Sequence, residues 1–326
     1  MPGSYLEAAV ERVAMTDHVG KSGAGLERVL LPDGRRLVVK RLDPAHDLVM
    51  WLTGDTRGRE LDLWAAGHLD ALPPGLAHVV VDGWREPDGT ATLVMRDLGD
   101  AVLGWEDRLD GRRWRFVVER LGRLHRTFLD RAPTGLADLA VTLTLFAPER
   151  LRLAGHEDNP LAGLALRGWE RFADLVDATV VDAVHALLAD PAPLVRALLA
   201  RPCTLVHGDL ATVNMALEGD DLVLLDWAMP VAAPGALDLT RFVAGCAQVV
   251  DVPREQMLAD YRAAAGPACD DDAMDLALLA ALIWLGWNKA LDAADHPDPA
   301  VRAREVEGLR WWVDAGRHAL ERGLLR

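Results

Sequence analysis

Apolar positions over residues 1–97 come in short runs separated by turn residues. Leu26–Leu31 alternates in the manner of a strand, Pro32-Asp33-Gly34 makes a turn, and Arg36–Leu42 (RLVVKRL) supplies the second arm of a hairpin. Ala77–Trp84 and Thr90–Met95 form another pair of strands around Pro87-Asp88-Gly89. Between the two pairs, Thr56–Leu69 places Leu61, Trp64 and Leu69 at helical spacing, with Pro73 and Pro74 just beyond its end. Residues 1–15 have the pattern of a short amphipathic helix.

After Leu98 the period changes. Arg112–Phe128 brings Phe116, Val117, Leu121 and Leu124 to one helical face. Pro148–Leu153, Leu161–Leu175, Val180–Leu188 and Leu194–Leu199 read as further helices, as do Met257–Ala265, Ala273–Ala293 and Pro299–Leu320. Cys203–Trp227 interrupts them with short strands and loops. The pattern predicts an α+β protein of two lobes, a small antiparallel-sheet lobe over 1–97 and a larger helical lobe over 98–326.

Composition narrows the class. The formal net charge of −15 argues against nucleic acid or an anionic membrane surface as partner. Cys203, Cys246 and Cys269 are far apart, which gives neither a disulfide framework nor zinc-ligand spacing, and a cytoplasmic location is expected. The first residues lack a basic segment followed by an apolar run, so no signal peptide is expected. The longest apolar stretch, Leu276–Trp287, is shorter than the ~18 residues a membrane span needs and is expected to be a buried core helix.

The chemistry concentrates in Val206–Trp227, VHGDLATVNMALEGDDLVLLDW. Val213–Leu217 and Leu222–Leu225 flank Glu218-Gly219-Asp220-Asp221, which predicts a hairpin with a four-residue turn. On that register Asn214 and Asp226 face each other across its open end. A carboxylate and an amide oxygen there are hard donors suited to Mg²⁺. Asp209 lies in the loop just upstream, placed to orient an incoming hydroxyl.

His207-Gly208-Asp209-Leu210, then Asn214 and Asp226, resembles the kinase catalytic loop and its metal-binding aspartate, with the same five-residue interval between Asp209 and Asn214. Gly208 in place of arginine, and Trp227-Ala228 in place of Phe-Gly, are similar to the aminoglycoside phosphotransferase and choline kinase branch of the protein-kinase-like fold. The resemblance implies Asp209 as catalytic base, Asn214 and Asp226 as Mg²⁺ ligands, and ATP or GTP as phosphoryl donor. It also implies a strand lysine on the phosphates and a helix glutamate holding it. Lys40, closing Leu37-Val38-Val39-Lys40, fits the first, and Glu60 fits the second ahead of Asp55 and Asp62. Ser22 and Gly23, in the Gly-rich Gly20–Gly25 segment, would lie against the phosphates. Met95, Asp97 and Leu98 would form the hinge that receives the base. His125 and Asp238 are expected to be structural, Asp238 bracing the catalytic loop.

The acceptor is less defined. The resemblance implies a small hydroxylated molecule bound among C-terminal helices, and Trp169, Glu170, Asp270 to Asp272, Trp284, Trp287 and Asn288 are candidates for its lining. An antibiotic or related natural product fits best. An amino alcohol, sugar or nucleoside is the alternative. A serine hydrolase is excluded, because neither Ser4 nor Ser22 sits in G-x-S-x-G. A pseudokinase used as a binding module is the rival from another class, disfavoured because Lys40, Asp209, Asn214 and Asp226 are all present. A protein kinase is disfavoured by Gly208 and Trp227. A monomer or homodimer is expected.

Overall fold

The structure is a computed structural model that describes residues 3–15, 25–153 and 159–325. It opens on a turn of 3-10 helix, Ser4–Ala8, and strand β1 (Glu11–Ala14), where the sequence pattern predicts one helix. So short a segment cannot hold a helix unaided. It pairs instead, Glu11 to Ala14 running antiparallel to Leu30 to Glu27 of β2 (Gly25–Leu30). Leu6 is buried beneath them with Val29, Leu37, Val39 and Val94.

β3 (Arg36–Leu42) follows, as the hairpin pattern predicts. Next come helices α1 (Leu48–Thr53) and α2 (Arg59–Ala65), the two-residue strand β4 (Leu76–Ala77), β5 (Val80–Arg85) and β6 (Ala91–Arg96). The sheet order is β1-β2-β3-β6-β5, all antiparallel, with β3 at its centre. The single helix expected over Thr56–Leu69 starts only at Arg59, and a separate helix precedes it. Asp47 caps α1 through the Met50 N–H at 2.9 Å, and Gly54, with φ of 65°, ends it. Asp55 then gathers the backbone N–H groups of Arg57, Gly58 and Arg59 at 3.1, 2.9 and 2.8 Å, which turns the chain into α2. This sets Glu60 in the first turn of α2, against the sheet.

The helical part comprises α3 (Gly111–Thr127), α4 (Leu139–Leu143), α5 (Pro148–Leu153), α6 (Pro160–Leu175), α7 (Ala178–Ala189) and α8 (Ala192–Leu199). Strands β7 (Thr204–Val206), β8 (Met215–Glu218), β9 (Asp221–Leu224) and β10 (Val231–Ala233) follow, then α9 (Ala236–Cys246), α10 (Arg254–Ala265), α11 (Asp271–Asp295) and α12 (Pro299–Glu321). The sequence pattern predicts neither the short α4 nor α9, on which Asp238 and Thr240 are buried. β7 pairs with β10, and β4 lies parallel to β9. The segment expected as one strand over Ala77–Trp84 is thereby divided between two sheets.

α11 is apolar on nearly every face and packs against α6, α9 and α12. By length and composition it could cross a membrane, yet 78% of its most apolar window is buried inside the protein. Gly168 lets α6 approach it, since a Cβ there would stand 2.3 Å from the Trp287 carbonyl oxygen.

Candidate active site

The hairpin closes more tightly than its sequence predicts. Met215 pairs with Leu224 and Glu218 with Asp221, so only Gly219 and Asp220 form the turn, and Gly219 takes a φ of 60°. The Leu225 N–H donates to the Asn214 carbonyl at 2.9 Å. Asn214 therefore stands opposite Leu225, and Asp226 lies one residue beyond the predicted register. Asp226 has a φ of 61°, a left-handed conformation that few non-glycine residues adopt. The chain turns off the strand there, and the Asp226 carboxylate enters the space under β3.

Lys40 meets it. The Lys40 ammonium donates to Glu60 Oε2 at 2.8 Å and to Asp226 Oδ1 at 2.7 Å, linking β3, α2 and the end of β9. Lys40 and Glu60 are 6% and 1% exposed, so both charges depend on this pairing. Burial alone would lower the Lys40 pKa, but the charges of Asp226 and Glu60 outweigh it and hold the ammonium above its ordinary value. Burial likewise pushes the Asp226 carboxyl up, and the Lys40 charge and hydrogen bond bring it below the usual carboxylate range. Glu60 Oε1 has no partner among the described residues. Of the competing carboxylates, Asp55 is committed to backbone N–H groups, and Asp62 lies at the surface with Arg57 and Arg85.

The loop of Asp209 is held from behind. Asp238, fully buried on α9, accepts from the His207 N–H at 2.8 Å and the Gly208 N–H at 2.9 Å. The same carboxylate lies 3.2 Å from His125 Nε2, whose other ring nitrogen meets the Tyr261 hydroxyl at 2.7 Å. His207 Nε2 lies 2.8 Å from the Leu225 carbonyl, and its Nδ1 accepts from the Asp209 N–H at 3.3 Å. That pair of contacts assigns the ring proton to Nε2. His207 thus ties the loop to the turn carrying Asp226. Gly208 has a φ of 85°, and a Cβ on it would lie 1.8 Å from the Met229 carbonyl oxygen, so no arginine can stand there.

Asp209 Oδ1 receives Arg241 Nε at 3.0 Å and Nη2 at 2.7 Å, and Oδ2 receives Asn214 Nδ2 at 3.2 Å. Sequence reasoning missed Arg241. A signal existed in its position three residues after Asp238, which puts both on one face of α9. Asp209, Asp226, Lys40 and Glu60 line one cleft of about 530 Å³, counting its open mouth, with Leu42, Val49, Met50 and Met229 as its apolar wall.

Ser22 and Gly23 fall outside the described residues. Met95 pairs with Val38 and Val80 within the sheet. The Asp97 N–H is taken by the Arg36 carbonyl at 3.1 Å, and its side chain accepts from the Gly99 N–H at 2.9 Å. Leu98, the next residue, follows the end of β6. Trp169, Trp284 and Trp287 are buried in the helical core, Trp169 donating to the Phe146 carbonyl at 2.8 Å. Asp270 caps α11 through the Ala273 N–H at 2.6 Å, and Asn288 is half-buried on the same helix. None of these four helical-core and capping residues, nor Asn288, lines the cleft.

No protein-family model matches the chain, and no curated protein sequence does. Solved structures do. An aminoglycoside phosphotransferase from Alicyclobacillus acidocaldarius aligns over 98% of this chain and 94% of its own, at 16% identity and a TM-score of 0.51. The choline kinase LicA from Streptococcus pneumoniae aligns over 95% of both chains, at 11% identity and a TM-score of 0.56. A Plasmodium vivax ethanolamine kinase aligns over 95% of this chain and 81% of its own, at 13% identity and a TM-score of 0.51. With an antiparallel N-terminal sheet, a helical C-terminal part and these likenesses, the chain has the protein-kinase-like fold of the aminoglycoside phosphotransferases and choline kinases.

Proposed function

We propose that the protein is an ATP- or GTP-dependent phosphotransferase acting on the hydroxyl of a small molecule. One observation carries this reading: Lys40 bonds both Glu60 and Asp226, 20 and 186 residues away in sequence, in the cleft that Asp209 also lines. A phosphoryl-transfer site requires a fixed cation on the phosphates, oxygen donors for the divalent ion that accompanies them, and a carboxylate for the incoming hydroxyl. The solved proteins of similar fold are named for small-molecule kinases, which supports the same class.

The donor set suits Mg²⁺. Asp226 offers a carboxylate, and Asn214, whose Nδ2 is turned to Asp209, keeps its amide oxygen as the only acceptor of that side chain. One carboxylate and one amide fit an ion that fills its other positions with phosphate oxygens and water. When bound, Mg²⁺ neutralises charge on the phosphates. Lys40, steadied by Glu60, would position those phosphates. The Leu98 N–H, which has no partner among the described residues, would receive the base edge. Asp209 would accept the acceptor's hydroxyl proton as its oxygen bonds to phosphorus and the nucleoside diphosphate leaves. Orientation and charge neutralisation supply most of the acceleration in such a site.

The acceptor we favour is an antibiotic or related natural product, with a metabolite such as an amino alcohol, sugar or nucleoside as the second reading. The three free cysteines fit a cytoplasmic enzyme. A coupled ADP-release screen across aminoglycosides, other hydroxylated antibiotics, amino alcohols and sugars identifies the acceptor. Asp209→Asn should then lower turnover about 10²- to 10⁴-fold. Turnover retained within about tenfold, ~1.4 kcal/mol of barrier, would overturn the role given to Asp209. Nucleotide binding with no ADP release from any acceptor would favour the pseudokinase instead.

A further inference from the structure

We infer that Arg241 is a positioning residue for Asp209, fixing which carboxylate oxygen faces the acceptor; this rests on the phosphotransferase reading above. The catalytic loop from His207 to Asn214 contains neither lysine nor arginine, so any cation beside Asp209 must come from elsewhere in the chain. Arg241 supplies it from α9. Its Nε and Nη2 converge on a single oxygen, Oδ1, at 3.0 and 2.7 Å. Two charge-assisted donors in the fixed plane of a guanidinium restrain rotation of the carboxylate as one donor cannot. Oδ2 is left with a single long contact, Asn214 Nδ2 at 3.2 Å. Oδ2 is therefore the oxygen with a lone pair free to take a hydroxyl proton.

The arginine is dedicated to this contact. Its side chain is 13% exposed, and Asp209 is its only ion-pair partner among the described residues. Space is kept for the guanidinium one turn along α9, since a Cβ on Gly245 would lie 2.8 Å from Arg241 Nη1. The helix already holds the loop backbone through Asp238, three residues earlier. One rigid element thus sets both the path of the loop and the rotamer of its carboxylate.

The test uses full-length protein with Mg-ATP, measuring ADP release with water as acceptor and with whatever acceptor the screen returns. Arg241→Gln and Arg241→Lys should each lower kcat about 10- to 100-fold, the scale of a roughly 1 Å misplacement of a reacting group. KM for ATP should stay within about twofold, because Arg241 is not placed on the phosphates. In an Asp209→Asn background, Arg241→Gln should change kcat by less than about twofold, as expected of groups acting through one another. Lysine should not rescue, since a point charge cannot hold one oxygen from two nitrogens. Unchanged kcat in Arg241→Gln, a rise in KM for ATP alone, or a full additional loss in the Asp209→Asn background would each overturn the inference. Wild-type turnover in Asp209→Asn would instead overturn the reading of Asp209 itself. Arg241→Lys keeps a cation opposite Asp209 and carries the test if the glutamine variant does not fold.

Discussion

Gly208→Ala is the smallest change that separates a precisely held catalytic loop from a tolerant one. The glycine has a φ of 85°, and the added Cβ would stand 1.8 Å from the Met229 carbonyl oxygen. Real Cβ contacts essentially never fall below 3.0 Å, so loop and Met229 must separate by at least 1.2 Å. A left-handed conformation costs a non-glycine residue about 1–2 kcal/mol, and overpacking adds about 1–3 kcal/mol. The loop cannot relax freely, because Asp238 holds the N–H groups of His207 and Gly208, and His207 is tied to the Leu225 carbonyl. The displacement must therefore reach Asp209, the next residue. A shift of this size in a group that orients the acceptor costs about 10²-fold in kcat. The assay pairs thermal unfolding with ADP release: Tm should fall by about 5 °C or more, and kcat by about two orders of magnitude. If Gly208→Ala keeps Tm within about 2 °C and turnover within threefold, the loop is not held as described and the argument for Gly208 fails.

The two buried lysines make separate predictions. Lys40→Met leaves Glu60 buried without a counter-charge and should lower unfolding free energy by about 3–5 kcal/mol, partly recovered in Lys40→Met/Glu60→Gln; denaturant titration reads both, and a loss below about 1 kcal/mol would contradict the geometry. Lys289 donates to Glu305 at 2.7 Å between α11 and α12, with Arg304 3.2 Å from the other oxygen. Burial pushes the Glu305 carboxyl up, and Lys289 and then Arg304 bring it below its ordinary 4.5. A depressed carboxylate contributes stability that is present above its ordinary value and lost as pH falls through the lower, folded one. Replacing the pair, Lys289→Met/Glu305→Leu, should thus flatten the acid limb of the stability profile below about pH 4.5, whereas an unchanged acid limb would show that the pair contributes nothing to it.

What could be read from sequence, and what could not, follows from how local each cause is. Lys40 is one of three lysines in an arginine-rich chain, placed at the end of an apolar strand, and a charge in that setting has to be matched by a partner. Lys289, in an apolar helix, obeys the same logic, and its partner is again a glutamate. The hairpin was recognisable from its apolar arms, but its register depends on whether Glu218 and Asp221 belong to the turn or to the strands. Both are polar enough for either, so the pattern could not place Asn214 against Leu225 rather than Asp226. The apolar spacing predicts only Thr56–Leu69 as a helix after β3, so it misses α1 and starts α2 three residues early. Gly54 ends α1, and Gly58 with the cap formed by Asp55 sets the start of α2, through backbone geometry that carries no periodic signal. The tryptophans misled for a different reason. Composition shows that they are abundant, whereas facing a cleft or a core is decided by which helices pack together, and Trp169, Trp284 and Trp287 pack inward. Arg241 combines both difficulties. Its partner is 32 residues away, and no motif includes it. Only Asp238, already placed behind the loop, marks the helix face on which a second contact to that loop could stand. An arginine three residues from a buried aspartate on such a helix therefore directs attention to the loop's own carboxylate before any solvent-facing partner.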